Sequence, residues 1–310
     1  MVTRAYNKIE NVSFGCIKKS SKTQRLADEI SYYRDIQSDT NKSIFFPRLI
    51  RSHLESDNNW MILEKYGYKD LGKLLVYSKA DWETIVDLLF DTIQQFQQFR
   101  DTELGNPFYS LTMFVEKTER EYNAFVKNHP ELLDVLLCPP VLVINSIEYA
   151  NFLEVWNPIR EYIHKHMLNY DATMIHGDMC LSNILYHNGC MKFIDPRGSY
   201  GKRGIYGDSR YDVAKLYHSF DGGYEFLIEG QYDLSMTDKG YDLMTRNWLS
   251  SEKSLEIFEN KFFPYYSKRE IKIIQGTIFI GMCDRHYDDR NRQIAMYLTG
   301  VRLLNEALLL

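Results

Sequence analysis

Between Met174 and Gly198 the chain sets oxygen-bearing side chains at the mouths of two short apolar runs, a pattern that few folds accommodate. Ile184-Leu185-Tyr186 and Met191 to Ile194 read as strands, with His187-Asn188-Gly189 as the turn between them. A hairpin of that length brings its two open ends together. Asn183, which precedes the first strand, and Asp195, which follows the second, then become neighbours. Asp178 lies five residues ahead of Asn183, on the turn leading into the first strand. Three oxygen donors are thereby gathered on two adjoining loops.

The remainder of the chain divides around this segment. Residues 12 to 19 read as a strand rich in β-favouring types, and an amphipathic helix follows with Leu26, Ile30 and Tyr33 at helical spacing. Phe45 to Arg51 reads as a second extended piece, and Trp60 to Glu64 as a strand covered on both faces. From Asp81 the pattern changes. Asp81 caps a long helix whose stripe is Ile85, Leu88, Leu89, Ile93 and Phe96, and the rest reads as mainly helical except around 173 to 197. The expected architecture is α+β and two-lobed: a β-rich N-lobe over residues 1–67 and a larger helical C-lobe over 68–310, joined near Tyr66-Gly67-Tyr68.

With 310 residues, the chain is long enough for two lobes with a substantial core. A formal charge of -5 argues against a nucleic-acid partner. Five cysteines without paired spacing read as reduced thiols. The opening residues hold no apolar signal core, and the apolar stretch from Ile273 to Cys283 is too short to span a bilayer. The expected setting is the cytoplasm, with no membrane partner and an oligomeric state left open.

The gathered oxygen donors suit one chemistry in particular. Phosphoryl transfer from ATP needs Mg2+, which takes hard oxygen ligands from one or two side chains and fills its octahedron with phosphates and water. It also needs a separate carboxylate to receive the proton of the attacking hydroxyl. Asn183 and Asp195 suit the metal, and Asp178 suits the base. The order His176-Gly177-Asp178, four residues, Asn183, then an apolar strand ending in Ile194-Asp195 resembles the aminoglycoside phosphotransferase and choline kinase superfamily, whose members have the protein-kinase fold. Gly207-Asp208-Ser209-Arg210-Tyr211-Asp212-Val213-Ala214 is similar to a further element of that superfamily. The resemblance implies that Asp178 is catalytic, that Asn183 and Asp195 are magnesium ligands, and that His176 and Asp212 hold the catalytic loop.

In the N-lobe, Gly15-Cys16-Ile17-Lys18 resembles the end of a kinase strand whose lysine contacts ATP phosphates, with Glu29 on the next helix to orient it. Strand register decides whether Lys18 or Lys19 faces the cleft. Met61 to Tyr66 resembles the strand and hinge that meet adenine, which brings in Glu64 and Tyr66. The chain departs from the family in having no glycine-rich phosphate loop: either a short loop around Asn7 to Asn11 does that work, or phosphate clamping is weak. It departs again in carrying Arg197, Lys202 and Arg203 beside the transfer site, where they could meet an anionic acceptor or the nucleotide phosphates.

The expected activity is an ATP- and Mg2+-dependent transfer of phosphate to a hydroxyl of a small molecule: a sugar, polyol or amino alcohol. A helical insert over roughly 100 to 170 would serve the acceptor. The alternatives are an aminoglycoside-modifying kinase and a nucleotide-binding pseudokinase acting as a scaffold. A protein kinase is disfavoured by the short Gly198 to Asp212 segment.

Overall fold

The computed structural model describes residues 7–12, 15–55, 58–102, 106–246 and 249–310. Strands β1 (Lys8–Val12), β2 (Cys16–Ser21), β3 (Leu49–His53) and β4 (Asn59–Glu64) form an antiparallel sheet in the order β1-β2-β4-β3. Helix α1 (Gln24–Gln37) packs on one face of this sheet through Leu26, Ile30, Tyr33 and Ile36. Within the strand expected over 12–19, Ser13 and Phe14 lie outside the described residues. The loop expected at Asn7 to Asn11 is instead strand β1, whose residues pair one-for-one with β2 from Lys8↔Ser20 to Val12↔Cys16.

Successive side chains on a strand point to opposite faces. Lys19 lies opposite Met61, which is wholly buried under α1. Lys18 lies opposite Ile62 and Glu10, and its ammonium sits 5.1 Å from the centre of the Trp60 ring on the outer face. Register thus sends Lys19 into the molecule and Lys18 out of it.

Residues 65–68 lead from β4 to the short β5 (Lys69–Asp70) and then to helices dominated by aromatic and aliphatic packing. Helix Arg210–Phe220 is buried along its entire length, an unusual position for a segment carrying Arg210, Asp212, Lys215 and His218. Helices Lys268–Ile280 and Arg290–Leu309 approach so closely at Gly276 and Gly300 that a Cβ on either would lie within 3.4 Å of the other's carbonyl oxygen.

The region expected to be mainly helical, with a helical insert over roughly 100 to 170, also contains strands. Strands β6 (Val141–Ile144) and β7 (Ile147–Ala150) make a tight hairpin in that region. After β8 (Ala172–Met174), β9 (Ile184–His187), β10 (Cys190–Phe193) and β11 (Tyr206–Asp208) comes a second unexpected hairpin, β12 (Tyr232–Thr237) with β13 (Gly240–Thr245). The two hairpins join as one sheet in the order β12-β13-β6-β7. Asn145 and Ser146 turn the first hairpin with φ of 51° and 65°, and Asn145 also exchanges hydrogen bonds with Leu243. Asn-Ser is a weaker turn signal than Asn-Gly, which is why a helical pattern prevailed there.

Candidate active site

The loop after β8 is held from four sides. The Asp212 carboxylate accepts the His176 amide at 2.6 Å and the Gly177 amide at 2.7 Å. Tyr200 donates to the His176 carbonyl at 2.9 Å, and Tyr32 of α1 donates to the Ile175 carbonyl at 3.0 Å. The Asp178 amide donates to His176 Nδ1 at 3.2 Å, so Nε2 carries the proton and donates to the Ile194 carbonyl at 2.9 Å. Burial holds the His176 imidazolium pKa down at about 4, so this ring is a neutral clamp between loop and hairpin. Gly177 has φ 73°, and a Cβ there would stand 2.0 Å from the Tyr200 hydroxyl. Only glycine fits.

The hairpin β9–β10 carries the other donors. The Asn183 side-chain amide donates to the Asp178 carbonyl at 2.8 Å, while the Asn183 carbonyl accepts the Ile194 amide at 2.9 Å. Asp195 follows with φ 61°, a left-handed conformation that side-chain-bearing residues adopt at a cost. Its Oδ1 meets Lys19 Nζ at 2.9 Å, and the same ammonium meets Glu29 Oε2 at 2.6 Å. Burial pushes the Asp195 carboxyl up, but the Lys19 charge and hydrogen bond outweigh it and hold the group below its ordinary range. Glu29 is buried more completely, and desolvation raises it to about 7 despite Lys19. Its Oε1 is buried without a hydrogen-bond partner.

The expected pairing of Lys18 with Glu29 is therefore corrected: Lys19 takes that place, because the alternation of β2 turns Lys18 toward Trp60. Glu64 and Tyr66 meet each other, Tyr66 donating to Glu64 Oε2 at 3.0 Å, at the end of β4 where Glu64 pairs with Cys16. Arg203 turns to α1 and binds Asp28 at 3.0 Å. Lys202 accepts the Tyr200 amide at its carbonyl. Arg197 stays by the loop, its amide donating to the His176 carbonyl at 2.9 Å.

Asp178 carries two cations absent from the sequence reading. Arg25 of α1 meets Oδ2 at 2.9 Å, and Lys215 of the buried helix meets Oδ1 at 2.8 Å. Lys215 follows Asp212 by three residues, so one helix face presents both the loop's anchor and the lysine beneath Asp178. Its i, i+3 spacing from Asp212 was the sequence signal for it.

Among the described residues no group of three or more His, Cys, Asp and Glu side chains could cage a metal. Asn183 and Asp195 supply two hard oxygen donors at one hairpin mouth, with Asp195 kept ionised. That set fits Mg2+, which borrows its remaining ligands from phosphate and water, and does not fit a softer or protein-enclosed ion.

No family model matches the chain, and no curated relative matches it in sequence. Solved structures do. The gentamicin complex of the enzyme APH(2")-IIa superposes with a TM-score of 0.53 at 14% identity, covering 96% of this chain and 87% of that one. The aminoglycoside phosphotransferase APH(3'')-Id from Streptomyces rimosus, with ADP and streptomycin, gives 0.51 at 13% identity, with 88% and 92% covered. A glucosamine kinase gives 0.53 at 12% identity, with 95% and 76% covered. The fold is kinase-like and two-lobed. In this kinase-like frame the β-rich N-terminal sheet contributes Lys19 and α1 contributes Glu29 and Arg25, while the helical region contributes the loop and hairpin. No helix among the described residues is long and apolar enough to cross a membrane.

Proposed function

We propose that the protein is an ATP- and Mg2+-dependent phosphotransferase acting on a hydroxyl of a small molecule. The observation that carries this reading is the unbroken chain of contacts from Glu29 through Lys19 to Asp195, and from Asp195's hairpin through Asn183 to the Asp178 carbonyl. In this reading the nucleotide lies between an N-lobe ending near Gly67 and the helical C-lobe, in the cytoplasm where ATP is supplied. Glu64 and Tyr66 border the adenine side.

Lys19 would contact the nucleotide phosphates, with Glu29 holding its ammonium in place. Asn183 and Asp195 would hold magnesium, which when bound neutralises charge on the transferring phosphoryl oxygens. Asp178 would orient the acceptor hydroxyl and accept its proton. Arg25 and Lys215 meet its two oxygens, which fixes the aim of the carboxylate. His176 and Asp212 position that loop without touching substrate.

The test is an ADP-release screen with Mg2+ and ATP across hydroxylated small molecules, beside Asp178→Asn. The variant should retain stabilisation by Mg-ATP and lose about 10²- to 10⁴-fold in turnover. Full turnover by the variant removes Asp178 from the mechanism.

A further inference from the structure

The surroundings of Asp178 are rich in cations. Lys215 lies beneath it, Arg25 beside it, and Arg197 emerges from the adjoining loop. Lys117, on the helix Lys117–Asn128, stands 5.7 Å from the centre of the Tyr211 ring, next in sequence to Asp212. Arg285, from the turn Cys283–His286, reaches the same place and pairs with Glu121. Five cations from five separate elements therefore surround one end of the site.

Their acidic partners are few. Glu121 is shared by Lys117 at 3.4 Å, by Arg285, and at longer range by Arg120 at 3.9 Å. Its Oε2 is buried and meets Lys117 Nζ at 3.4 Å without a hydrogen bond. Asp178 serves Arg25 and Lys215. Arg197 has no carboxylate within 4.0 Å among the described residues, and its guanidinium makes a single 3.3 Å hydrogen bond, to the Ser199 carbonyl. A guanidinium has five N–H donors, so most of them are open to a ligand. The potential is marked by Tyr211: burial raises its phenol, yet Lys117, Arg197 and Lys215 bring it below its ordinary value.

Resting on the phosphotransferase reading, we infer that the acceptor is an anionic hydroxyl compound, a sugar or polyol bearing a carboxylate or a phosphate, whose negative group sits on Arg197 with Lys117 and Arg285 behind it. A polycation such as an aminoglycoside would bring its ammonium groups against these five cations, whose carboxylate partners Glu121 and Asp178 are already engaged. An anionic group instead completes the bidentate geometry that Arg197 offers. In the reaction the acceptor O–H gives its proton to Asp178, a bond forms from that oxygen to the γ-phosphorus of ATP, and the bond to the β–γ bridging oxygen breaks to release ADP.

The experiment compares four acceptor classes at matched concentrations with Mg2+ and ATP: neutral sugars and polyols, aldonic and uronic acids, sugar monophosphates, and aminoglycosides. ADP release is read beside thermal stabilisation by each compound in the presence of Mg-ADP. One of the two anionic classes should be turned over with a kcat/KM at least about tenfold above the neutral class, and the outcome distinguishes carboxylate from phosphate. Arg197→Gln should raise KM for that acceptor about 10- to 100-fold, the range of a lost charge-assisted pair, with the larger change in KM rather than kcat.

Preferred turnover of neutral or cationic compounds overturns the inference while leaving the phosphotransferase reading intact. So does an Arg197→Gln effect that falls on KM for ATP instead. If Mg-ATP stabilises the protein but no anionic compound is bound or phosphorylated, the inference fails alone. If Mg-ATP neither stabilises the protein nor is consumed, the phosphotransferase reading fails first.

Discussion

Replacing Lys19 with Met should damage the protein far more than replacing its neighbour Lys18. The Lys19 side chain is 5% exposed and its partner Glu29 is 3% exposed, so the pair is sealed from water. Without the ammonium, Glu29 Oε2 loses its 2.6 Å bond while Oε1 is already unpartnered. Removing one member of a buried ion pair costs about 3–5 kcal/mol. Asp195 lies deep among protein groups yet its side chain is 43% exposed, so water screens its contact with Lys19 and that contact adds about 1 kcal/mol at most.

The loss should depend on pH. Burial raises Glu29 to about 7, so at pH 5.5 it is protonated in the folded wild type and Lys19 gives it only a hydrogen bond. At pH 8 the wild type holds an ion pair, and the variant must either bury a lone carboxylate or keep it protonated against the solution. The penalty should therefore be about 1 kcal/mol at pH 5.5 and about 2 kcal/mol at pH 8, less than for a fully ionised pair because Glu29 is ionised only above about pH 7. Lys18→Met should cost under about 1 kcal/mol at both, since it removes the contact with Trp60 and a solvent-screened attraction to Glu10. Urea unfolding at the two pH values measures stability, and a Mg-ATP titration of the melting temperature measures nucleotide binding. Lys19→Met should lose the nucleotide effect and Lys18→Met should keep it. Equal costs for the two variants, or loss of nucleotide binding in Lys18→Met alone, would refute the assignment made from strand register.

Gly177→Ala should destabilise by about 2–4 kcal/mol, because the methyl group meets the Tyr200 hydroxyl and the backbone has φ 73°; an unfolding midpoint within error of wild type would disprove that packing. Glu225 is raised to about 7 by burial, although the Ser219 hydroxyl at 3.0 Å and the Ser182 amide at 3.1 Å favour its anion. A carboxyl raised in the folded state binds more protons there than in the unfolded chain between about pH 4.5 and 7, so its contribution to stability falls as pH rises through that window. Glu225→Gln removes this dependence, and the stability of wild type relative to the variant should decline from pH 5 to pH 8 in denaturant titrations; a difference independent of pH would show that Glu225 does not titrate there.

Local pattern made the hairpin after Asn183 and its paired oxygen donors legible, because a turn flanked by short apolar runs allows one way to close. The β-rich and helical halves were legible for the same reason, periods of two and of 3.6 being properties of neighbouring residues. The choice between Lys18 and Lys19 was not, since it depends on which face of β2 helix α1 covers, and adjacent residues on a strand always take opposite sides. The sheet joining 141–150 with 232–245 was hidden because each hairpin finds its partner only across the fold. Lys117, Arg197, Lys215 and Arg285 stand far apart in the chain and come together around Tyr211 only when their elements pack around helix Arg210–Phe220. Charges act through space, so the company Asp178 keeps was decided by tertiary structure alone.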